Sequence, residues 1–333
     1  MNKLNDQFNR IHDYLRISVT DRCNLRCVYC MPPEGVEFIE HNKLLTYEEI
    51  EEVVRVGASL GIKKLRLTGG EPLVRKDVEV LISKLSKIEG IEDIALTTNA
   101  YYLANKAKAL KEAGLNRVNI SLDSLKPERF KEITRGGNIE RVLEGIDSAI
   151  KVGFSPIKIN TVLMKGFNDD EIGDFLRMTI EQPFNLRFIE YMPIGHSDKT
   201  WKDGYLSLEY VKETAKELGF QLEESEAVFG NGPSENFKIK GAKGTIGFIN
   251  PVSNHFCANC NRLRLTSDGY LKACLFWNEE LNVKNHIGNP TKIKEIYFRS
   301  LQEKPENHEM AKEFNDDKLS NIPTLRRMSQ IGG

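Results

Sequence analysis

Between residues 15 and 190 the chain repeats one pattern six times: a short β-rich run, then a longer stretch with helical amphipathic period. The β-rich runs fall at 15–19, 63–67, 93–97, 117–121, 156–162 and 185–190. Consecutive strands that run the same way need a crossover between them, so this alternation implies a parallel sheet. The expected fold class is α/β: an incomplete, six-stranded βα barrel over residues 1–225, with a smaller C-terminal α+β region over 226–333 closing its mouth. An open doubly wound sheet satisfies the same alternation.

Local signals agree with this reading. Thr46-x-x-Glu49 is a capping box and Leu45 with Ile50 a hydrophobic staple, so a helix is expected from Thr46 to about Leu60, stopped by Gly61. The strand ends are polar. A cysteine loop follows the first strand, Thr68-Gly69-Gly70-Glu71-Pro72 the second, and Thr97-Thr98-Asn99, Ser121-Leu122-Asp123 and Glu190-Tyr191-Met192-Pro193 end the third, fourth and sixth. The fifth carries Lys158 and Asn160 on one face by period two. Catalytic groups of α/β barrels gather at such ends. After about residue 225 the pattern changes to short β-like segments at 237–240 and 245–249, and the last thirty residues read as a frayed polar tail.

Bulk properties narrow the partners. A formal net charge of −1 gives no reason to expect nucleic acid or a membrane surface. The N-terminus has no apolar leader core, and no stretch approaches the roughly 18 apolar residues of a membrane span, so a cytoplasmic location is expected. Six cysteines are too few for a disulfide framework. They fall in two groups, 23, 27, 30 and 257, 260, 274.

The first group, C-x3-C-x2-C, is too compact to spread its sulfurs, so all three can face one soft metal centre, zinc or an iron–sulfur cluster. A four-iron cluster with three local thiolates keeps one iron open for something that reacts. Tyr29 lies between two of these cysteines, where its ring meets whatever occupies that position. Gly69 and Gly70 lack a Cβ and allow close backbone approach to a ligand, and Glu71 with Pro72 fixes the turn. A structural zinc knuckle is the plainer alternative.

The second group, C-x2-C-x13-C, again offers three thiolates. A zinc site completed by His255 is one reading and a second cubane another. Arg262 and Arg264 follow on one face of a strand, a turn is expected at Ser267-Asp268-Gly269, and guanidinium matches phosphate bidentately. Arg16, Arg66 and Lys158 sit where period two could aim them inward, and a barrel lined by cations needs an anionic partner. Together these five cations suit a triphosphate.

The cysteine spacing with Thr68-Gly69-Gly70-Glu71-Pro72 resembles the radical S-adenosylmethionine (SAM) superfamily. Both cysteine groups, the glycine turn and the terminal Gly332-Gly333 make nearly the whole chain similar to the branch that cyclises GTP at the opening of molybdenum cofactor biosynthesis. That resemblance implies a lyase that converts GTP to 3′,8-cyclo-7,8-dihydro-GTP through a 5′-deoxyadenosyl radical. It implies two [4Fe-4S] clusters, one on Cys23, Cys27 and Cys30 and one on Cys257, Cys260 and Cys274, with SAM among Tyr29, Gly70, Ser121 and Met192. It further implies GTP contacts from Arg16, Arg66, Thr97, Lys158, Arg262 and Arg264, and catalytic parts for Arg16, Arg262, Arg264, Gly332 and Gly333, the tail reaching into the site. The implied partners are a low-potential electron donor such as a flavodoxin or ferredoxin, a downstream cyclic pyranopterin monophosphate synthase, and a second copy in a homodimer. Ala100 stands where this branch more usually has glycine. A peptide-modifying radical SAM enzyme shares the first half of these features, and a zinc-binding interaction module would need neither the glycine turn nor the polar strand ends.

Overall fold

The computed structural model describes residues 3–195, 201–225 and 232–332. Six parallel strands, β1 (Tyr14–Ser18), β2 (Lys64–Thr68), β3 (Asp93–Thr98), β4 (Arg117–Ser121), β5 (Lys158–Leu163) and β6 (Asn185–Glu190), lie side by side in chain order. Helices α1 (Tyr47–Ser59), α2 (Val78–Leu85), α3 (Leu103–Glu112), α4 (Pro127–Thr134), α5 (Ile139–Lys151) and α6 (Ile172–Glu181) fill the crossovers. The capping box forms as expected: Thr46 Oγ1 accepts from the Glu49 N–H at 3.1 Å, and Glu49 accepts from the Thr46 N–H at 2.7 Å.

The sheet has twelve strands, with the six expected ones together at its centre. The C-terminal strands are β7 (Leu222–Glu224), β8 (Glu235–Ile239), β9 (Thr245–Ile249), β10 (Arg262–Leu265), β11 (Tyr270–Lys272) and β12 (Leu281–Asn282). β9 pairs in parallel with β6 and β10 in parallel with β1, so the same sheet is extended at both edges. Antiparallel hairpins β7–β8–β9 and β10–β11–β12 finish it.

Period two explains which face does what. Leu15, Ile17, Leu65, Leu67, Ile94, Leu96, Val118, Ile120, Ile159, Leu186 and Phe188 belong to one large core packed with helix residues such as Ile50, Val53, Val142 and Ile146. Their alternates are polar: Arg16, Arg66, Thr97, Asn119, Lys158, Asn160 and Arg187. A parallel sheet normally buries apolar residues on both faces. One face here is reserved for something charged. Register puts Arg16 level with Arg66 on one side and Arg264 on the other, and Tyr14 level with Arg262.

The C-terminal tail is ordered by contacts and does not fray. Arg326 pairs with Asp268 at 3.0 Å and Glu280 at 2.7 Å, and a terminal helical turn, Met328–Ile331, follows. Ile331 is buried in a second apolar cluster with Tyr191, Trp201 and Phe276, a burial that contributes about 2 kcal/mol. Among the described residues no helix is long and apolar enough to cross a membrane.

Candidate active site

The first cysteine loop is fastened to the end of β2 by the glycine pair. Val19 N–H donates to Thr68 O at 2.9 Å, Gly70 N–H to Thr20 O at 2.7 Å and Glu71 N–H to Arg22 O at 2.8 Å. A Cβ at Gly69 would lie 2.3 Å from Thr20 O, and one at Gly70 2.3 Å from Arg22 O. The missing side chains therefore admit the cluster loop's own backbone, a role sequence reading assigned to a ligand. Glu71 then ties the ends of β2 and β3 together, accepting from Leu73 N–H, Thr98 Oγ1–H and Asn99 N–H at 2.7–2.9 Å. Burial raises its carboxyl to about 7 against the pull of those donors. The turn beside it keeps its shape although Ala100 has a φ of 60°, since Thr98 Oγ1 accepts the Ala100 N–H at 2.9 Å.

All six cysteines are free thiols. In the first trio burial is the leading influence: Cys23 is pushed up to about 12, Cys30 to about 11 and Cys27 well above its ordinary value. Negative neighbours add to this, Glu71 at Cys23 and Asp123 at Cys27 and Cys30. Tyr29 donates to Asp123 at 2.8 Å and meets Tyr191 edge-on. Asn99 Nδ2 lies 3.7 Å from Cys23 Sγ. Loop ends are stitched to α4 by Arg26 N–H to Thr134 O at 3.1 Å and Val28 N–H to Ile133 O at 2.9 Å.

The second trio differs. Cys257 and Cys260 flank a tight turn, and β10 with the hairpin at Asp268-Gly269 returns the chain to Cys274. Burial alone would raise Cys260, but Lys304 and Arg262 pull it down to about 6. His255 packs edge-on against His308, ring centres 5.5 Å apart. Among the described residues no three or more of His, Cys, Asp and Glu surround a point closely enough to hold one metal ion. A cubane takes one thiolate on each of its irons, and so asks its cysteines to surround a volume, which two three-thiol loops can do.

Between the second trio and the strand face lies one cavity. Arg16, Arg66, Thr97, Arg262 and Arg264 line it, with Met192, Cys257, Cys260 and Cys274. Contributions from β1, β2, β3, β5, β6, β9 and β10 meet here, so the sheet curves around the space. Five lining residues carry a buried atom with no hydrogen-bond partner among the described residues: Tyr14 Oη, Arg66 Nε, Thr97 Oγ1, Asn160 Oδ1 and His308 Nε2. Such atoms are costly unless something binds them. Burial, then mutual repulsion, lowers Arg16 well below its usual value and Arg264 to about 10. An anion would relieve both effects.

The tail enters the same space. Gly332 O accepts from Arg16 Nε at 3.2 Å and Arg264 Nη1 at 2.6 Å, while a Cβ on Gly332 would strike Thr68 at 2.4 Å. Gly333 lies outside the described residues. Lys158 shares its strand face with Asn160 but is fully buried and not part of the cavity wall. Burial and the charges of Arg187, Arg117 and Arg66 bring it down to about 6. Ser121 ends β4 level with Asn160.

Four residues of this region were not singled out from sequence: Tyr14, Arg187, Arg10 and Lys304. Arg187, brought down to about 9 by burial and by Arg66, stands two residues from Asn185 on β6. The period-two reasoning that selected Arg16 and Arg66 would have found it. Arg10 donates to Cys257 O at 2.8 Å from a loop with no strand pattern.

Residues 17–179 match the Radical SAM superfamily and residues 184–310 match Molybdenum Cofactor Synthesis C. The chain is 59% identical to the GTP 3′,8-cyclase of Listeria monocytogenes and 51% identical to that of Lactiplantibacillus plantarum, covering all of both chains. Among solved structures it is similar to Streptococcus suis SuiB bound to S-adenosylmethionine, with a TM-score of 0.62 and 14% identity, over 95% of this chain and 71% of that one. This last likeness concerns the fold.

Proposed function

The chain belongs to the GTP 3′,8-cyclase family of radical SAM enzymes, and from that footing we propose how its residues divide the work of converting GTP to 3′,8-cyclo-7,8-dihydro-GTP in molybdenum cofactor synthesis. The carrying observation is a single cavity with cysteines at one end, guanidiniums on its wall and unpartnered polar atoms between them.

Cys23, Cys27 and Cys30 hold the [4Fe-4S] cluster of the radical SAM fold, and three free thiols on one short, half-buried loop fit that group. Bound there with SAM, it supplies the one-electron cleavage that yields a 5′-deoxyadenosyl radical. Tyr29, Gly70, Ser121 and Met192 surround SAM; of these, Met192 also faces the cavity. Cys257, Cys260 and Cys274 hold a second [4Fe-4S] cluster, for which a thiol already favouring thiolate is a suitable ligand.

Arg16, Arg66, Arg262 and Arg264 grip the triphosphate, Thr97 offers its unpartnered hydroxyl, and Lys158, brought down to about 6 behind the wall, gains its proton when an anion binds in front of it. Holding GTP at both ends fixes the ribose relative to the first cluster, and orientation of this kind is a large part of the rate. Gly332 shares Arg16 and Arg264 with the bound anion, so tail and substrate answer to the same guanidiniums. Gly333 completes the tail. The curved sheet serves as a partial barrel whose six central strands carry SAM chemistry, with residues 1–225 and 226–333 as the two working parts. Family membership supports a flavodoxin or ferredoxin as reductant, cyclic pyranopterin monophosphate synthase as the next enzyme, and a homodimer.

The test is an anaerobic reaction of reconstituted protein with SAM, dithionite and GTP, following 5′-deoxyadenosine, the guanine product and iron. Deoxyadenosine formed together with a cyclised product, at about eight irons per chain, supports every assignment. Deoxyadenosine with GTP returned unchanged would remove the triphosphate assignment, and about four irons with zinc would remove the second cluster.

A further inference from the structure

Lys304 is buried, 3% exposed, in a place where lysine is costly. It follows the helix Pro290–Gln302, whose Tyr297 donates to Val53 O of α1 at 3.1 Å, so its backbone is set by helix packing. Its ammonium has three donors. They reach Ala273 O at 2.7 Å, Arg262 O at 3.0 Å and Cys260 Sγ at 3.4 Å. Two of these acceptors adjoin ligand positions, Ala273 before Cys274 and Arg262 two after Cys260. The third is the sulfur itself.

The counter-charge is the informative point. Lys272, the other deeply buried lysine of this region, has Glu280 at 3.4 Å. Among the described residues no carboxylate lies within ion-pair distance of Lys304. Two carbonyls are neutral acceptors, so the negative charge that Lys304 meets is at Cys260. Arg10 works from the other side: Asp6 holds it at 2.5 Å while it donates to Cys257 O at 2.8 Å and to Pro305 O at 2.8 Å, next to Lys304. The ammonium is thus fixed in place rather than swinging.

We propose that Lys304 is a positioning residue for the second cysteine site, holding Cys260 by a charge-assisted N–H···S bond and shifting that cluster's reduction potential upward. The proposal rests on the reading that Cys257, Cys260 and Cys274 hold a [4Fe-4S] cluster. Hydrogen bonds to the sulfurs and local charge are what set such potentials, and a cation favours the more negative, reduced cluster. Among the described residues the first trio has no lysine donor at a sulfur, which makes its cluster an internal reference in the same molecule.

The experiment is an EPR-monitored redox titration of reconstituted holoenzyme, with iron release to a chelator followed in parallel, for wild type, Lys304→Met and Lys304→Arg. Lys304→Met keeps the buried stem and loses every donor. The second cluster's potential is expected to move to more negative values with the first unmoved, and its irons to be lost about tenfold faster or more. Lys304→Arg is expected to restore most of both. Unchanged potentials in Lys304→Met would overturn the proposal, as would an equal shift of both clusters, the mark of a general structural defect. Wild-type protein with about four irons and a single EPR signal would overturn it together with the reading beneath it, an outcome the iron count separates from the others.

Discussion

Two loops in this chain present three cysteines each, and their surroundings differ most at Cys260. The first trio is buried against carboxylates, with Glu71 and Asp123 as neighbours, and its thiols are all raised. The second lies among cations, with Lys304 and Arg262 beside Cys260. Ligand count alone would make them equivalent. Acidic neighbours disfavour added electrons on a cluster and make its reduced form a stronger donor, whereas cations favour added negative charge and collect anions. The contrast matches a division between a centre that gives up an electron and one that faces a charged substrate.

The sharpest break of the comparison comes from removing one cysteine on each side. Cys30→Ser is expected to abolish 5′-deoxyadenosine formation, whereas Cys260→Ser should lose about half the iron and the cyclised product yet still cleave SAM. Equal loss of cleavage in both variants would make the two loops one functional unit. The cationic side is tested next by Arg262→Ala combined with Arg264→Ala. Loss of two charge-assisted contacts is expected to weaken GTP binding about 100-fold in anaerobic calorimetry, leaving SAM affinity unchanged.

Thiol chemistry of iron-free protein sharpens the contrast further. A thiol held at about 6 is mostly thiolate at pH 7, whereas one held at about 11 is almost wholly protonated. Lower intrinsic nucleophilicity of the more acidic thiol offsets part of that advantage, leaving Cys260 alkylated on the order of 50-fold faster than Cys30 at pH 7. Cys260 labelling should then fall as pH drops through about 6, and Cys30 labelling should keep rising with pH until it levels off near 11. Mass spectrometry of the labelled peptides reads both, and equal rates would erase the electrostatic distinction. The smallest effect is expected from Arg326→Gln, which frees the tail from Asp268 and Glu280. Product formed per deoxyadenosine should drop by about threefold, the scale of partly exposed ion pairs.

The alternation of strands and helices was legible because period two and period 3.6 are written locally, and all six central strands lie within a few residues of their expected places. Pairing of β9 with β6 and of β10 with β1 was not, since it joins segments that share no local pattern. The same distinction holds at the site. Arg16, Arg66, Arg262 and Arg264 could be read from strand period, and the structure brings them to one cavity. Lys304 could not, because a lone lysine after a helix carries no sign that packing will bury it. Gly69 and Gly70 were recognised as permitting close approach, but what approaches is the chain itself.

Arg326 fixes one end of the tail and the grip of Arg16 and Arg264 on Gly332 fixes the other, which makes the intervening peptide a ruler. Its length is set to the distance between a partly buried ion pair and two guanidiniums of the cavity wall. A residue inserted between them would push the Gly332 carbonyl past its two guanidiniums, and one removed would leave it short. Surface loops in general tolerate added residues, but here the count of residues is itself part of the site.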